Sequence, residues 1–592
     1  MTSNTLKLLY SKPASFLFTF FLLFFYGTLF CTTGFDITDT GYNLNNQWAL
    51  INGWSEYSWG VVWLSDLIGG AWLYLTQSLG LYGAHLGWSL LLGLKGLLVC
   101  WLLNQYIYPF MALFVSVLTG IIMVPGRLKI IYYSNLSPLF LMLTGFLFIK
   151  LVNAKSKASI WLYIGVGLSM AASFHTRFPS IIALIFFPIL SICLGFVFQK
   201  DQVRNLFKRN LLFILSSLFF SILLLLPIVI SGNWSEYSQN FYELFGLIDG
   251  LPQQAEHTTS HLLMTYKSHF LWKFEYTCLF MLMVAAFIGI WKYLKDKLDS
   301  QKINYSLLIL AIIYWSIYYW QIPGLENAFR VMVGVSITLM SFSYIAYILL
   351  RHKKNNTSYI QILSMITFLS IGYICFAGSN TGFLSLAEGF WLALPFSLLT
   401  FLGLNQQNDR GKVNKSLLLL VILLPLAVQS YFIRLKSPYR DYFRRDLMTF
   451  EFEHPKLQNI HSLEGRVKSV NELMVQLSAL TEPGDHILAY NDIPMVHYLT
   501  ETKPYLMNTW PNIQGPEVVK YYLTKPQVAK LPKVIVRSLT NTQSSTWGNG
   551  QRIPVHNQLH FDGTLEIDKW ITEVADYKIF WSNSDFLILT KK

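Results

Sequence analysis

Apolar runs long enough to cross the roughly 30 Å hydrocarbon layer of a bilayer recur along the first 430 or so positions, and short clusters of lysine and arginine punctuate them. No other feature restricts the fold as much. In hydrocarbon each backbone N–H and C=O must be satisfied within its own segment, so such a chain folds as a bundle of helices. Hydrophobic residues are 53% and charged residues 13% of the 592 positions, which excludes a water-soluble globule.

The basic clusters act as topological pins, because short cytoplasmic loops carry an excess of Lys and Arg. They are Lys150, Lys155 and Lys157; Lys200, Arg204, Lys208 and Arg209; Lys292, Lys295, Lys297 and Lys302; Arg351, Lys353 and Lys354; and Arg410, Lys412 and Lys415. The first apolar run, Phe16 to Cys31, follows Lys7 and Lys12 without a small-residue cleavage site, so it reads as a retained span with a cytoplasmic N-terminus. Further spans are expected near 84–103, 109–124, 132–150, 159–173, 180–198, 211–231, 276–294, 303–320, 330–350, 358–377, 385–404 and 415–433, about thirteen in all. Counting Trp59 to Leu79 as another would invert every later loop. With Trp54, Trp59, Trp63, Trp72 and Asp66, it reads instead as a helix lying along the headgroups, within one outer loop of residues 34–83. The net charge of +13 sits largely in these loops and points to membrane lipids, with no nucleic acid partner.

From Arg434 onward charge becomes frequent. Asp485 to Tyr490 and Lys533 to Arg537 read as short buried strands bounded by Pro-Gly and Leu-Pro turns. Residues 434–592 are therefore expected to form a soluble α/β domain, placed outside by the odd span count, after a transmembrane domain of residues 1–433. The five cysteines, Cys31, Cys100, Cys193, Cys278 and Cys375, all fall in or beside spans, which predicts packed thiols and no disulfide in the outer domain. No P-loop, GxGxxG or CxxC motif is present.

Directly after the first span comes Gly34-Phe35-Asp36-Ile37-Thr38-Asp39-Thr40-Gly41-Tyr42-Asn43, which sets two carboxylates at the edge of a bilayer. A charge there reads as functional, as a base or a ligand, and otherwise as a solvated helix cap. At this segment the chain resembles the GT-C glycosyltransferases, which include protein O-mannosyltransferases and aminoarabinose transferases. Asp39-Thr40-Gly41-Tyr42 is similar to that family's acidic-small-Tyr pattern, and the long first outer loop, about thirteen spans and outer C-terminal domain are similar to its architecture. Pro125 to Pro138 and Phe174-His175-Thr176-Arg177-Phe178-Pro179 also look similar to bacterial members. The resemblance implies a polytopic α-helical protein of the bacterial cytoplasmic membrane that transfers a sugar from a polyprenyl-phosphate donor. The acceptor it implies is a protein, lipid A or another glycan at the outer face.

Such chemistry needs a base for the acceptor hydroxyl and donors for the departing phosphate. Asp39 is the first candidate base and Asp36 the second; Arg177, Lys267, Lys273 and Arg330 are candidate phosphate ligands, each of which could instead snorkel or sit solvated. Tyr42, Glu326, Asn380 and Glu388 are candidate substrate contacts; a Glu326–Arg330 salt bridge is the plain alternative. Cofactors stay open: a divalent cation could be held by Asp36 and Asp39, or by His257 and His261 at helical i, i+4 spacing. The rival readings are a transporter or flippase of lipid-linked saccharides, whose usual internal repeats are not seen here, and a ligase or polymerase of lipid-linked sugars.

Overall fold

A computed structural model describes residues 11–54, 60–123, 128–154, 159–244, 263–268, 278, 326–350, 356–377, 379, 386–401, 412–436 and 438–592, apart from 443, 507, 525–529, 549–562 and 575. The apolar part is helical. Its helices are α1 (Lys12–Thr28), α2 (Asp39–Ile51), α3 (Trp63–Leu75), α4 (Gly80–Leu103), α5 (Pro109–Met123), α6 (Tyr133–Val152), α7 (Ile160–Thr176), α8 (Ile181–Phe198), α9 (Val203–Ile230), α10 (Trp234–Leu244), α11 (Glu326–Leu350), α12 (Asn356–Phe376), α13 (Leu386–Gly389), α14 (Ala393–Phe401) and α15 (Lys412–Lys436). Among the described residues, five segments are long and apolar enough to cross a membrane: Gln77–Leu103, Tyr133–Val152, Phe178–Phe198, Val203–Ile230 and Ser358–Cys375. The protein is a multi-pass membrane protein. The spans expected at 276–294 and 303–320 lie outside the described residues, and the one expected at 385–404 is broken into α13 and α14 by a turn at residues 390–392.

Burial separates lining helices from lipid-facing ones. The apolar window of the Gln77–Leu103 segment is 72% buried, whereas those of α8 and α9 are 28% and 17% buried. Ile185, Ile189, Phe196, Leu215, Phe219 and Ile222 on those two helices are exposed, and surface of that character is stable only against lipid. Cys193 is exposed on α8, so packing does not hold every thiol, although Cys31, Cys100 and Cys375 are buried. Helices α2 and α3 have 13 residues each, about 20 Å, too short to cross the layer.

The C-terminal part is an α/β layer. Strands β1 (Phe450–Glu451) and β2 (His461–Ser462) pair, and then β3 (His486–Tyr490), β4 (Lys503–Pro504), β5 (Val534–Ser538), β6 (Tyr577–Ser582) and β7 (Phe586–Lys591) form a sheet of order β4-β3-β5-β7-β6. β3 runs parallel to β4 and β5, while β7 runs antiparallel to β5 and β6. Four helices accompany it: α16 (Glu464–Ser478), α17 (Met495–Thr500), α18 (Pro516–Thr524) and α19 (Thr564–Val574).

This layer is stitched to the segment that follows α1. Gly34 N–H donates to the His461 carbonyl at 2.9 Å and His461 N–H donates to the Thr32 carbonyl at 2.7 Å, so residues 32–34 run beside β2 as a parallel bridge. Met495 N–H, at the start of α17, donates to the Ile37 carbonyl at 3.0 Å. Phe35, Ile37, Leu44 and Leu81 belong to the same buried cluster as Phe452, Val470, Ile487 and Trp547. One apolar core therefore includes both the segment after the first helix and the C-terminal sheet.

Candidate functional site

Helix α2 starts at Asp39, so the acidic segment straddles a helix N-terminus and its two carboxylates have different fates. Asp36 is buried and precedes the first turn. Its Oδ1 accepts from the Thr38 amide at 3.0 Å and the Thr38 hydroxyl at 2.5 Å, and its Oδ2 accepts from the Thr40 amide at 2.7 Å. Both oxygens are thus occupied in satisfying amides that a helix start leaves without partners. No group of three or more metal-ligating side chains occurs among the described residues.

Asp39 is held from across the chain. The Tyr439 hydroxyl donates to its Oδ2 at 2.5 Å and Arg440 Nη2 lies 2.9 Å from the same oxygen, with 27% of the Asp39 side chain and 21% of the Arg440 side chain exposed. Among the described residues no side chain or amide donates to Oδ1. Desolvation raises the Asp39 carboxyl above its ordinary range more than Arg440 lowers it, and Asp36 and Asp492 add to the rise. The carboxylate is therefore anchored by one oxygen, open at the other, and more basic than in water. Burial and the neighbouring Asp39 charge push the Tyr439 phenol well up, so it stays a donor.

The C-terminal sheet supports this arrangement. At the carboxyl end of β3, Asn491 and Asp492 both have positive φ, 70° and 67°. Backbone there bends sharply, which is where parallel sheets commonly present functional groups. Asp492 accepts from Trp510 Nε1 at 2.7 Å, Asn512 Nδ2 at 3.2 Å and Gln543 Nε2 at 3.0 Å. The indole so fixed lies 5.7 Å from the Arg440 guanidinium and 6.1 Å from the Tyr42 ring. Tyr42 is half-buried, and buried Asp66 on α3, whose carboxyl desolvation raises well above the usual range, adds to the upward push on its phenol.

Next to Arg440, Asp441 forms a fully buried ion pair with Arg466. It also accepts from the Phe35 amide at 2.7 Å and the Ser462 hydroxyl at 2.8 Å, tying the segment after α1 to β2 and α16. Arg466 lies 4.2 Å from the Trp547 ring. Further cations, Lys129, Arg434 and Arg445, gather beneath. Lys129 Nζ donates to the Phe30 and Thr33 carbonyls at 2.9 and 2.6 Å, Arg445 donates to Thr33, and burial together with their mutual repulsion lowers the Lys129 ammonium well below its usual range. Arg445 also donates to the Thr33 hydroxyl and Arg434 lies over the Phe30 and Trp88 rings, so the cluster holds residues 30–33.

The other residues expected at the site divide. Arg177 is buried after α7 and donates to the Ala377 carbonyl at 3.2 Å, a helix-packing contact. Glu388 pairs with Lys95 of α4 at 3.4 Å inside the bundle, and Lys95 also lies 5.5 Å from the Trp391 ring. Lys267 is exposed on a described stretch of helix. Glu326 and Arg330 lie on the first turns of α11, where only the backbone is described, and Lys273, Asn380, His257 and His261 lie outside the described residues. Tyr439, Arg440, Asp441 and Asp492 were not singled out in the sequence. The one available signal was the aromatic and charged run Pro438-Tyr439-Arg440-Asp441-Tyr442 immediately beyond the last apolar helix.

A groove of about 460 Å³ lined by Glu451, Glu464, Lys468, Glu472 and Trp581 lies elsewhere on the C-terminal layer and shares no residue with the Asp39 cluster.

No protein-family profile matches this chain. No curated protein sequence matches it either. Among solved structures, it is similar to ArnT from Cupriavidus metallidurans bound to undecaprenyl phosphate, with 8% identity and a TM-score of 0.40 over 100% of this chain and 98% of that chain.

Proposed function

We propose that this protein is a membrane glycosyltransferase that moves a sugar from a polyprenyl-phosphate carrier to an acceptor hydroxyl at the outer face of the membrane, with Asp39 as the general base. The observation that carries the reading is the asymmetry of Asp39: Oδ2 is fixed by Tyr439 and Arg440, while Oδ1 has no donor among the described residues and the side chain is part-exposed. An acceptor O–H needs such a group, a carboxylate held in position with one lone-pair face open and its basicity raised by partial desolvation. Asp36, with both oxygens bound to the helix start, is a cap in this reading. A lipid-borne donor suits the location, because an isoprenoid tail keeps its phosphate at the membrane edge, and the acidic segment follows α1 directly.

Asp39→Asn tests the reading. Transfer of sugar from a polyprenyl-phosphate-sugar pool extracted from source membranes should fall by roughly 10² to 10⁴ in the purified variant, with thermal unfolding in detergent unchanged. Transfer at the parental rate would overturn the assignment of Asp39. Asp36→Ala should act chiefly on stability, as loss of a cap worth about 1 kcal/mol.

A further inference from the structure

Arg440 is placed to serve two anions in turn. Its guanidinium binds Asp39 Oδ2 at 2.9 Å and reaches the Thr38 hydroxyl, resting between the Tyr439 ring at 5.3 Å and the Trp510 ring at 5.7 Å. Its backbone is held firmly. The residue has φ of 49°, an uncommon conformation for a side chain with a Cβ, and is followed by Asp441, locked in the buried pair with Arg466. The Arg466 guanidinium also donates to the Arg440 carbonyl at 3.4 Å. The side chain, by contrast, is 21% exposed, so solvent and a ligand can reach the guanidinium.

We propose that Arg440 is the donor-phosphate ligand of this site, and that it exchanges Asp39 for the phosphate when the lipid-linked sugar enters. The proposal rests on the glycosyl-transfer reading above and adds Arg440 to the candidate phosphate ligands, ahead of Arg177, which lies among the helices and donates to the Ala377 carbonyl. One observation and two general arguments carry it. Arg440 is the cation whose charge acts on Asp39; Asp36, Tyr439 and Asp492 are the other titratable groups acting there. A planar guanidinium matches phosphate oxygens as well as it matches a carboxylate. A hydrogen bond of about 3 Å from base to acceptor and a near-attack separation of about 3 Å put the leaving oxygen within about 8 Å of Asp39, inside the sweep of an arginine side chain pivoting beside it.

The exchange gives each group its role at the moment it is needed. The acceptor O–H bond breaks and its proton passes to Asp39. The acceptor oxygen bonds the anomeric carbon, the carbon–oxygen bond to phosphate breaks, and that electron pair stays on the phosphate, where Arg440 neutralises it. In the empty site the same guanidinium holds Asp39 and damps its basicity, so an unloaded enzyme presents a quiet base.

Binding of polyprenyl phosphate, without sugar, to protein in nanodiscs tests this by a double-mutant cycle. Asp39→Asn removes the competing anion and should tighten binding about tenfold; Arg440→Gln should weaken it about tenfold. Asp39→Asn should tighten binding far less in the Arg440→Gln background than in the parent, because relief of competition needs the guanidinium and only the weaker relief of charge repulsion remains without it. Parental affinity in Arg440→Gln, or strictly additive effects, overturns the exchange. If Arg440→Gln does not fold, the Asp39→Asn arm decides alone, and unchanged or weaker binding there overturns it. Loss of transfer in Asp39→Asn with unchanged phosphate affinity sinks the exchange and leaves the glycosyl-transfer reading standing. Tighter phosphate binding in Asp39→Asn, where the parent protein transfers no sugar from the extracted pool, sinks the glycosyl-transfer reading and leaves Arg440 as an anion ligand that Asp39 competes for.

Discussion

A carboxylate serves as a base only while ionised, and desolvation sets Asp39 above its ordinary value of 3.8. Under the proposed mechanism, transfer is lost as pH falls through a midpoint above 3.8, measured as the acid limb of kcat/KM. Arg440 is the attraction that lowers this group, so Arg440→Gln should move the limb to still higher pH, and a limb that stays put or moves down would contradict the pairing. Of the two carboxylates, the sequence made Asp39 the stronger candidate, and the geometry supplies a reason that spacing could not: Asp36 faces the amides of Thr38 and Thr40. The partners of Asp39 were not legible. Tyr439 lies 400 positions away, and no local periodicity links a residue beside the first helix to one beyond the last.

At the scale of elements, Gly41 shows why α2 sits where it does. A methyl group at that position would overlap the backbone nitrogen and Cα of Met495 and come within 2.6 Å of its Cβ, so α2 and the start of α17 touch main chain to main chain. On an exposed helix Gly→Ala would stabilise by about 1 kcal/mol. Here Gly41→Ala should destabilise by about 1 to 3 kcal/mol, as overpacking does, and slow transfer by moving the start of α2, and Asp39 with it, away from Tyr439. A variant with raised thermal stability and unchanged rate would refute this contact. Helix positions were readable because hydropathy and basic loops need no tertiary information: spans expected at 132–150, 180–198 and 358–377 appear as α6, α8 and α12. The two central strands were readable for the same reason, as apolar runs between turns. The edge pieces β1, β2 and β4 have two residues each, too few for any pattern to register.

Across the whole molecule, the surprise lies in connectivity. The sequence suggested a membrane part and a C-terminal part meeting at residue 434, a division drawn from composition, and composition does not report packing. Asp441 joins the Phe35 amide, the Ser462 hydroxyl and the Arg466 guanidinium in one buried knot. Asp441→Asn should therefore destabilise by about 3 to 5 kcal/mol, since it strands a buried cation, and the loss should appear as a lowered midpoint of thermal unfolding in detergent. A drop under about 1 kcal/mol, the scale of an exposed pair, would show that the knot is hydrated. The pairing of residues 32–34 with His461 also has a consequence for synthesis. The first strand of the site leaves the ribosome more than four hundred codons before the strand it pairs with. Until then the insertion machinery handles a chain whose base has neither its tyrosine nor its arginine, so a polypeptide released early carries Asp39 without the means to hold it. Under the proposed function, the site is therefore complete only after the chain has grown past Arg440, and a nascent, half-inserted chain is kept from acting.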